Sequence, residues 1–159
     1  GEAVRIDRES RKVLGTLDNG RVGDHEREIN PSCSRVAVRE GHLQSVSAEF
    51  AAAVDPDAVE NALSGFTGLP QRLSLPTAPR RPLLVHHGAD RLQQALDAGA
   101  GEPERARGMA VTVGRLRIRE RRCRFFLLVH NTVRGAAGGS LLNAELALKT
   151  GLLPGVAHE

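Results

Sequence analysis

The sequence is poor in aromatic residues: its 159 residues include no tryptophan, no tyrosine and four phenylalanines. Proteins that bind single-stranded nucleic acid stack bases on aromatic side chains, so this scarcity argues against nucleic acid as a partner. Two cysteines, Cys33 and Cys123, are too few for a disulfide framework. Apolar runs are also short, and residues 125–129 fall far below the roughly 20 residues that span a bilayer. Since the first residues lack a signal-peptide pattern, we expect a cytoplasmic protein without membrane association.

Charge is nearly balanced, with 22 basic and 19 acidic residues and a formal net charge of +3. Only Lys12 and Lys149 are lysines, and the other basic residues are arginines. Several arginines crowd one short stretch: Arg115, Arg117, Arg119, Arg121, Arg122 and Arg124. Such a stretch is an anion-binding patch or, in the interpretation we favour, a solvated strand face with a hairpin turn. The hydrophobic fraction of 40% suffices for one modest core, so the chain is one domain or part of one.

Local signals predict the elements of the first part of the chain. Apolar residues within 2–17 recur at helical spacing and predict a helix, which Gly15 weakens or ends. Asp18-Asn19-Gly20 predicts a turn. Residues 33–40 alternate along the chain and predict a strand, and residues 45–50 predict another.

The second part begins with Asp55-Pro56-Asp57, a strong helix start in which a carboxylate caps and proline takes the first helical position. The predicted buried stripe of this helix is Val59, Ala62, Leu63 and Phe66. Further strands are predicted at residues 82–86, 109–118 and 124–129, and a last helix at 135–149. Strands in the middle, with helices before, between and after, predict an α+β fold: a mostly antiparallel sheet with helices packed on it.

Motifs for nucleotide or metal binding are missing from the sequence. It has neither a GxGxxG segment after a strand nor a Walker loop. His86 and His87 are adjacent on a predicted strand, so they would point to opposite faces and cannot share one metal ion. We therefore expect no metal site.

Three blocks, in this order along the chain, carry a family resemblance. The first is Gly1-Glu2-Ala3-Val4-Arg5 followed by Glu9-Ser10-Arg11-Lys12-Val13-Leu14-Gly15. The second is Ser32-Cys33-Ser34-Arg35-Val36-Ala37-Val38-Arg39-Glu40-Gly41-His42, continued by Gln44-Ser45-Val46 and Glu49-Phe50. The third is Leu75-Pro76-Thr77-Ala78-Pro79, Gly108-Met109-Ala110-Val111-Thr112-Val113-Gly114-Arg115 and His130-Asn131-Thr132-Val133-Arg134-Gly135-Ala136-Ala137, with Leu142-Asn143-Ala144-Glu145-Leu146. Together they cover almost the whole chain, and they resemble aspartate-β-semialdehyde dehydrogenases of the branch typical of archaea and fungi.

The resemblance implies a glyceraldehyde-3-phosphate-dehydrogenase-like C-terminal domain. Residues 1–159 would form the substrate-binding and dimerisation domain, incomplete at its N-terminus, with residues 130–150 returning toward a preceding nucleotide-binding domain. That preceding domain would bind most of the NADP and supply a catalytic cysteine in an Asn-Cys-Ser/Thr setting. The protein would assemble as a homodimer or homotetramer. Residues 90–108 depart from the family, which usually has a Pro-rich extended stretch there.

The second block carries two implied site residues. His42 would be the acid/base partner of the thiol, a role that suits an imidazole because its pKa lies near neutrality. Arg35 would clamp the substrate carboxylate with its fork of donors, although an arginine on a strand is ordinarily a solvated charge. Cys33, with His42 nine residues on, suggests a nucleophile and base. Its Ser-Cys-Ser-Arg flank differs from the family's catalytic setting, and we interpret Cys33 as structural.

Three further roles follow from the resemblance. Glu2 would receive the substrate ammonium group, and Arg5, at a position normally occupied by lysine, would meet phosphate. Because the two residues are three apart on a helix, the ordinary alternative is a surface salt bridge. Asn131 would contact the nicotinamide of the cofactor, and its alternative role is to cap the final helix.

The activity implied is NADP-dependent reductive dephosphorylation of β-aspartyl phosphate to aspartate semialdehyde, with release of phosphate, on the route to lysine, threonine and methionine. The chain by itself is expected to be inactive. One alternative is a noncatalytic dimerisation or interaction module, and another is a related acyl-phosphate reductase with a different substrate. The upstream coding sequence separates the enzyme from the module: an in-frame nucleotide-binding domain favours the enzyme, and a start codon at this point favours the module.

Overall fold

The computed structural model describes residues 1–153. By the density of internal contacts the chain divides into two compact units, Gly1–Ala37 and a second that begins at Val38. Each unit is described by itself.

The first unit contains helix α1 (Glu2–Val13) and a two-stranded antiparallel hairpin of β1 (Thr16–Asp18) and β2 (Arg21–Gly23). Asn19 and Gly20 both have positive φ, as a two-residue hairpin turn requires. The predicted helix and turn are therefore confirmed, with the helix ending before Gly15. Its apolar spacing does not lead to burial, since Val13 and Leu14 are 82% and 58% exposed.

The strand predicted at residues 33–40 is wrong, because this segment is irregular and its side chains are exposed. Alternation predicts a strand only if a neighbouring chain offers backbone partners, and no described strand pairs with these residues. Cys33 and Arg35 thus lie in an exposed irregular segment.

The second unit is built on a four-stranded sheet with the spatial order β3-β6-β5-β4. Its strands are β3 (His42–Glu49), β4 (Leu83–His86), β5 (Val111–Arg119) and β6 (Arg122–Val129). The β3–β6 and β5–β6 pairs are antiparallel and the β4–β5 pair is parallel. The four predicted strands in this unit are confirmed with shifted ends, and β3 begins earlier than predicted, at His42.

Helix α2 (Pro56–Ser64) begins where the sequence predicts it, since the Asp55 carboxylate accepts a hydrogen bond from the Asp57 backbone N–H at 3.2 Å. Its predicted buried stripe is only half right. Val59 and Leu63 are half-buried, whereas Ala62 and Phe66 are exposed. Phe66 follows the C-cap Gly65, so it leaves the helix and no longer continues the helical spacing.

Shorter helices complete the second unit. They are α3 (Leu69–Arg72), α4 (Gln94–Asp97), a 3-10 turn (Glu104–Ala106) and a π-helical turn (Val133–Ala137) that leads into α5 (Gly138–Lys149). The predicted last helix is thus confirmed for its main part, but its first turn is π-helical.

The core of the second unit lies where α5 meets the segments before β4 and β5. It consists of Leu75, Ala78, Ala106, Met109 and Leu142. Glu145 of α5 holds the segment before β4 by two hydrogen bonds to Thr77. Its Oε2 accepts from the Thr77 backbone N–H at 3.0 Å and from the Thr77 hydroxyl at 2.6 Å. The predicted α+β class is confirmed. No helix among residues 1–153 is long and apolar enough to cross a bilayer.

Candidate active site

His42 opens strand β3, and its side chain is exposed. In the antiparallel register it stands opposite Val129, the last residue of β6. The sequence-predicted acid/base residue therefore lies at the very end of a ladder, where the backbone pairing of the sheet stops. An imidazole in this position is accessible to a substrate, and its direction depends on how the preceding residue is held.

The preceding residue, Gly41, is buried and has a φ of 101°, which favours glycine. Its backbone N–H donates to Asn131 Oδ1 at 2.9 Å, and its carbonyl accepts from Gln94 Nε2 at 3.2 Å. A Cβ at this position would lie 3.0 Å from Leu128 Cδ1. Both polar groups of Gly41 are therefore held by side chains from distant parts of the sequence.

Glu40 and His130 form a second link beside Gly41, with Glu40 Oε2 2.7 Å from His130 Nε2. The other ring nitrogen, Nδ1, accepts from the Val133 backbone N–H at 3.4 Å. This arrangement requires the proton of a neutral ring to be on Nε2, where it is donated to Glu40. His130 is largely buried and Glu40 is exposed, so the pair connects the start of β3 to the end of β6 at the edge of the solvent.

A cavity of ≈ 760 Å³ adjoins these residues. Its lining includes Glu40, Gln94 and His130 together with Arg39 and Arg107. His42 is not among the lining residues. The cavity therefore borders the segment that holds His42 rather than the imidazole itself.

Two other predicted site residues meet in the first unit. Arg35 Nη2 lies 3.7 Å from Glu2 Oε2, with the side chains 93% and 59% exposed. The salt-bridge alternative predicted that Glu2 pairs with Arg5. The structure instead pairs Glu2 with Arg35. Arg5 is exposed on α1 and forms no ion pair among the described residues. An exposed carboxylate beside an exposed guanidinium presents one charge of each sign within a single substrate length.

Asn131 does not cap the helix that follows it. The N-cap of the π-helical turn is Thr132, and no side chain caps it. Asn131 Oδ1 is engaged by Gly41, whereas its amide nitrogen donates to no residue within the described 153. The capping alternative is therefore wrong, and the predicted contact of Asn131 with the cofactor stays a prediction.

The remaining titratable residues are held elsewhere in the second unit. Buried Asp97 pairs with Arg91 and accepts from the Gln93 backbone N–H at 2.7 Å, and His86 Nε2 lies 3.7 Å from it. Burial above all, then the charges of Arg91 and His87, lower the pKa of His86. No group of three side chains among residues 1–153 could hold a metal ion.

Both cysteines are free thiols. Cys33 is exposed, which contradicts our placing it as a structural strand residue, whereas Cys123 is 2% exposed within the sheet. Burial raises the pKa of the Cys123 thiol. The arginine stretch forms the predicted β5–β6 hairpin and its side chains are exposed, whereas the choice between a solvated face and an anion-binding patch stays a prediction.

Comparison with known proteins decides the family. A family model described as "Semialdehyde dehydrogenase, dimerisation domain" matches residues 2–134. The chain belongs to this family. Since the match spans both units, the semialdehyde dehydrogenase dimerisation domain includes the Glu2–Arg35 pair as well as the segment around His42.

Archaeal and fungal relatives share most of this dimerisation domain. The chain is 43% identical over 149 residues to "Aspartate-semialdehyde dehydrogenase" of Methanothermobacter thermautotrophicus, with 92% of this chain and 42% of the relative covered. It is 40% identical over 132 residues to "Malonyl CoA reductase (NADP)" of Metallosphaera sedula, with coverages of 82% and 36%. The chain thus spans less than half the length of these curated relatives.

A solved structure has the same fold as this dimerisation domain. The aspartate semialdehyde dehydrogenase with NADP from Candida albicans superimposes with a TM-score of 0.83 at 28% identity, over 96% of this chain and 44% of that one. The fold class predicted from the sequence, including its likeness to the C-terminal domain of glyceraldehyde-3-phosphate dehydrogenase, is therefore confirmed.

Sequence reasoning missed the residues that hold the segment before His42. Glu40 and His130 lie inside the resembling blocks, but neither was selected as a site residue, and Gln94 lies in the stretch that departs from the family. The available signal was the Gly-His pair itself. A glycine directly before a functional residue suggests a backbone conformation that other parts of the fold must hold.

Proposed function

We propose that this chain is the substrate-binding and dimerisation domain of an NADP-dependent aspartate-semialdehyde dehydrogenase. It would act in the cytoplasm as part of a longer polypeptide in a homodimer or homotetramer. The reaction is the reductive dephosphorylation of β-aspartyl phosphate to aspartate semialdehyde and phosphate. The shared name of the archaeal and fungal relatives supports this assignment.

The reaction needs a thiol nucleophile, a hydride donor and a proton donor. A cysteine thiolate, supplied by the preceding part of the polypeptide, attacks the acyl carbon and phosphate leaves, so a thioester bond replaces the acyl-phosphate bond. NADPH supplies the hydride when it is bound, and Asn131 would hold its carboxamide. His42 takes the proton from the thiol and gives it to the carbonyl oxygen as the thioester is reduced. Loss of that proton then expels the thiolate and releases the aldehyde.

The observation that carries the proposal is the 3.7 Å pair of Glu2 and Arg35. The substrate is an amino acid with one ammonium and one carboxylate on the same carbon. A guanidinium binds the carboxylate in a bidentate way, and a neighbouring carboxylate receives the ammonium. The two exposed side chains together match both charges, and Arg5 on the same helix as Glu2 would meet the phosphate.

The test uses the complete protein, expressed with the coding sequence that precedes residue 1. We expect NADPH to form when aspartate semialdehyde, phosphate and NADP are all present, and its absorbance measures the rate. His42→Asn should lower kcat by about 100-fold or more, since general acid–base catalysis contributes about 10²–10⁴-fold. The proposal fails if no phosphate-dependent NADPH appears, or if His42→Asn leaves kcat unchanged.

The Metallosphaera sedula relative supports a second candidate, the reduction of malonyl-CoA. A malonyl group has a carboxylate but no ammonium, so Arg35 would have a partner and Glu2 would not. Oxidation of NADPH with malonyl-CoA, and none of the phosphate-dependent reaction, would favour this candidate. Glu2→Gln also separates the two, because it should raise KM for aspartate semialdehyde but not for malonyl-CoA.

A noncatalytic module is the remaining alternative. The complete protein would then have neither activity while still forming dimers. Size measurement by light scattering alongside the two assays distinguishes this outcome, and sequencing the upstream coding region shows directly whether an Asn-Cys-Ser/Thr segment precedes residue 1.

A further inference from the structure

Gly41 is the point at which the β3–β6 ladder ends. Backbone pairing runs as far as His42 opposite Val129. One residue earlier, side chains replace the backbone partners. Asn131 Oδ1 accepts a hydrogen bond from the Gly41 N–H, and Gln94 Nε2 donates one to the Gly41 carbonyl. The residue directly before the imidazole is therefore held on both polar groups.

The two holding side chains come from different elements. Gln94 is the first residue of α4, and Asn131 follows β6. They lie 53 and 90 residues away from Gly41 along the chain. Gly41 itself is buried against Leu128 and Ala98. A Cβ added to Gly41 would lie 3.0 Å from Leu128 Cδ1 and 3.5 Å from Ala98 Cβ. Strand ends fray readily when their polar groups face water, so these contacts restrain a position that is otherwise mobile.

We propose that Gln94 and Asn131 are positioning residues for His42. By holding the carbonyl and the amide of Gly41, they fix the direction in which the imidazole leaves β3, and the ion pair of Glu40 with the largely buried His130 supports the same turn. This inference rests on the proposed function, in which His42 moves the proton. Asn131 thereby has a role toward Gly41 that is separate from its predicted contact with the cofactor.

Gln94 gives the cleaner test because it is not a predicted cofactor contact. Gln94→Met keeps the length and volume of the side chain and removes the donor. The matched control is Gln93→Met: this neighbouring exposed amide donates to the Asp90 carbonyl at 3.0 Å and makes no contact with Gly41. In the complete protein, Gln94→Met should lower kcat by about 10- to 100-fold, as small misplacements of a reacting group do, with KM for NADP unchanged. The control should leave both constants unchanged.

A double-mutant cycle shows whether Gln94 acts through His42. In a His42→Asn background, Gln94→Met should lower kcat by less than about twofold, since the residue it positions is gone. Hydrogen exchange of the Gly41 amide gives a second readout that needs no activity. Exchange should be faster in Gln94→Met and in Asn131→Ala than in the parent and in Gln93→Met.

Any one of three results would overturn the inference. The Gly41 amide could exchange equally fast in the parent and the variants, or Gln94→Met could leave kcat unchanged. The third is that Gln94→Met lowers kcat by the same factor in the His42→Asn background as in the parent. Failure of the proposed function looks different, because the parent protein itself would then lack the phosphate-dependent activity. In that case the exchange measurement still decides whether Gln94 and Asn131 hold the residue before His42.

Discussion

Arg35 Nη2 lies 3.7 Å from Glu2 Oε2, although the two residues are separated by a helix, a hairpin and an irregular segment. Both side chains are largely exposed, so the pair contributes little to folding: surface ion pairs are worth about 0–1 kcal/mol. In the proposed function the pair would instead serve recognition, as two opposite charges held within the dimensions of an amino acid.

Arg35→Lys keeps the charge but loses the bidentate fork, and we expect KM for aspartate semialdehyde to rise by about tenfold or more, since hydrogen bonds to charged groups contribute about 1.5–3 kcal/mol. The free energy of unfolding should stay within about 0.5 kcal/mol, as for other surface changes. Arg8→Lys, on the exposed face of α1, is the matched control. An equal rise in KM for both variants would argue against a carboxylate clamp.

Gly41→Ala should destabilise the protein and disturb the site. The φ of 101° is strained for alanine, and the new Cβ would lie 3.0 Å from Leu128 Cδ1. Backbone strain of this kind costs about 1–3 kcal/mol, to which the steric contact adds. Gly20→Ala is the control, because Gly20 also has positive φ but open space around it. Urea unfolding should show the larger loss for Gly41→Ala, and equal losses would mean that the contact with Leu128 relaxes freely.

The lowered pKa of His86 predicts that the free energy of unfolding decreases as the pH is lowered. In the unfolded chain this imidazole takes up a proton near its ordinary value of 6.5, whereas in the folded chain burial, Arg91 and His87 oppose protonation. As the pH falls below 6.5, the unfolded state therefore binds more protons than the folded state. The contribution of neutral His86 to folding stability is complete above that pH and is lost progressively below it.

We expect His86→Gln to flatten the decline in unfolding free energy as the pH is lowered below 6.5, as measured by urea titration at several pH values. Asp97, at 3.7 Å, is already engaged by Arg91 and the Gln93 N–H, so it does not offset the burial. A titration of the His86 ring above 6.5 in the folded protein, followed by NMR, would contradict this account.

The two thiols should differ strongly in reactivity. Cys33 is exposed, whereas Cys123 is 2% exposed and its pKa is raised by burial, so the reactive thiolate form is disfavoured there. Iodoacetamide should modify Cys33 first and Cys123 only after unfolding in urea. Mass spectrometry of Cys33→Ser and Cys123→Ser variants assigns each event, and equal rates in the folded protein would contradict the burial of Cys123.

The β5–β6 hairpin places like charges directly opposite each other, with Arg117 opposite Arg124 and Arg119 opposite Arg122. Glu49 is the nearby acid, accepting from Arg121 at 2.9 Å and lying 3.7 Å from Arg122. Arg117→Thr should raise the unfolding free energy by about 0.2–1 kcal/mol, the range for cross-strand pairs, and weaken its dependence on salt. Ser47→Thr, opposite Arg124 on β3, changes strand propensity without changing charge and should leave the salt dependence intact.

By itself the sequence determined the elements whose signals are local. The Asp55 cap and the Asn19-Gly20 turn depend on neighbours a few residues away, and a few residues suffice to set backbone dihedrals and the first hydrogen bonds of a helix or hairpin. The resemblance of its three blocks also identified the family. Local alternation failed at residues 33–40, because a strand needs a partner that no local pattern can supply.

Tertiary structure decided what surrounds the candidate site residues. Glu2 met Arg35 and not Arg5, and Asn131 bonded to Gly41 and not to the helix after it. Gln94 entered the site from a segment that the family resemblance does not cover. These contacts join residues tens of positions apart, and the free energy that selects them comes from packing the whole unit, which no short stretch of sequence contains.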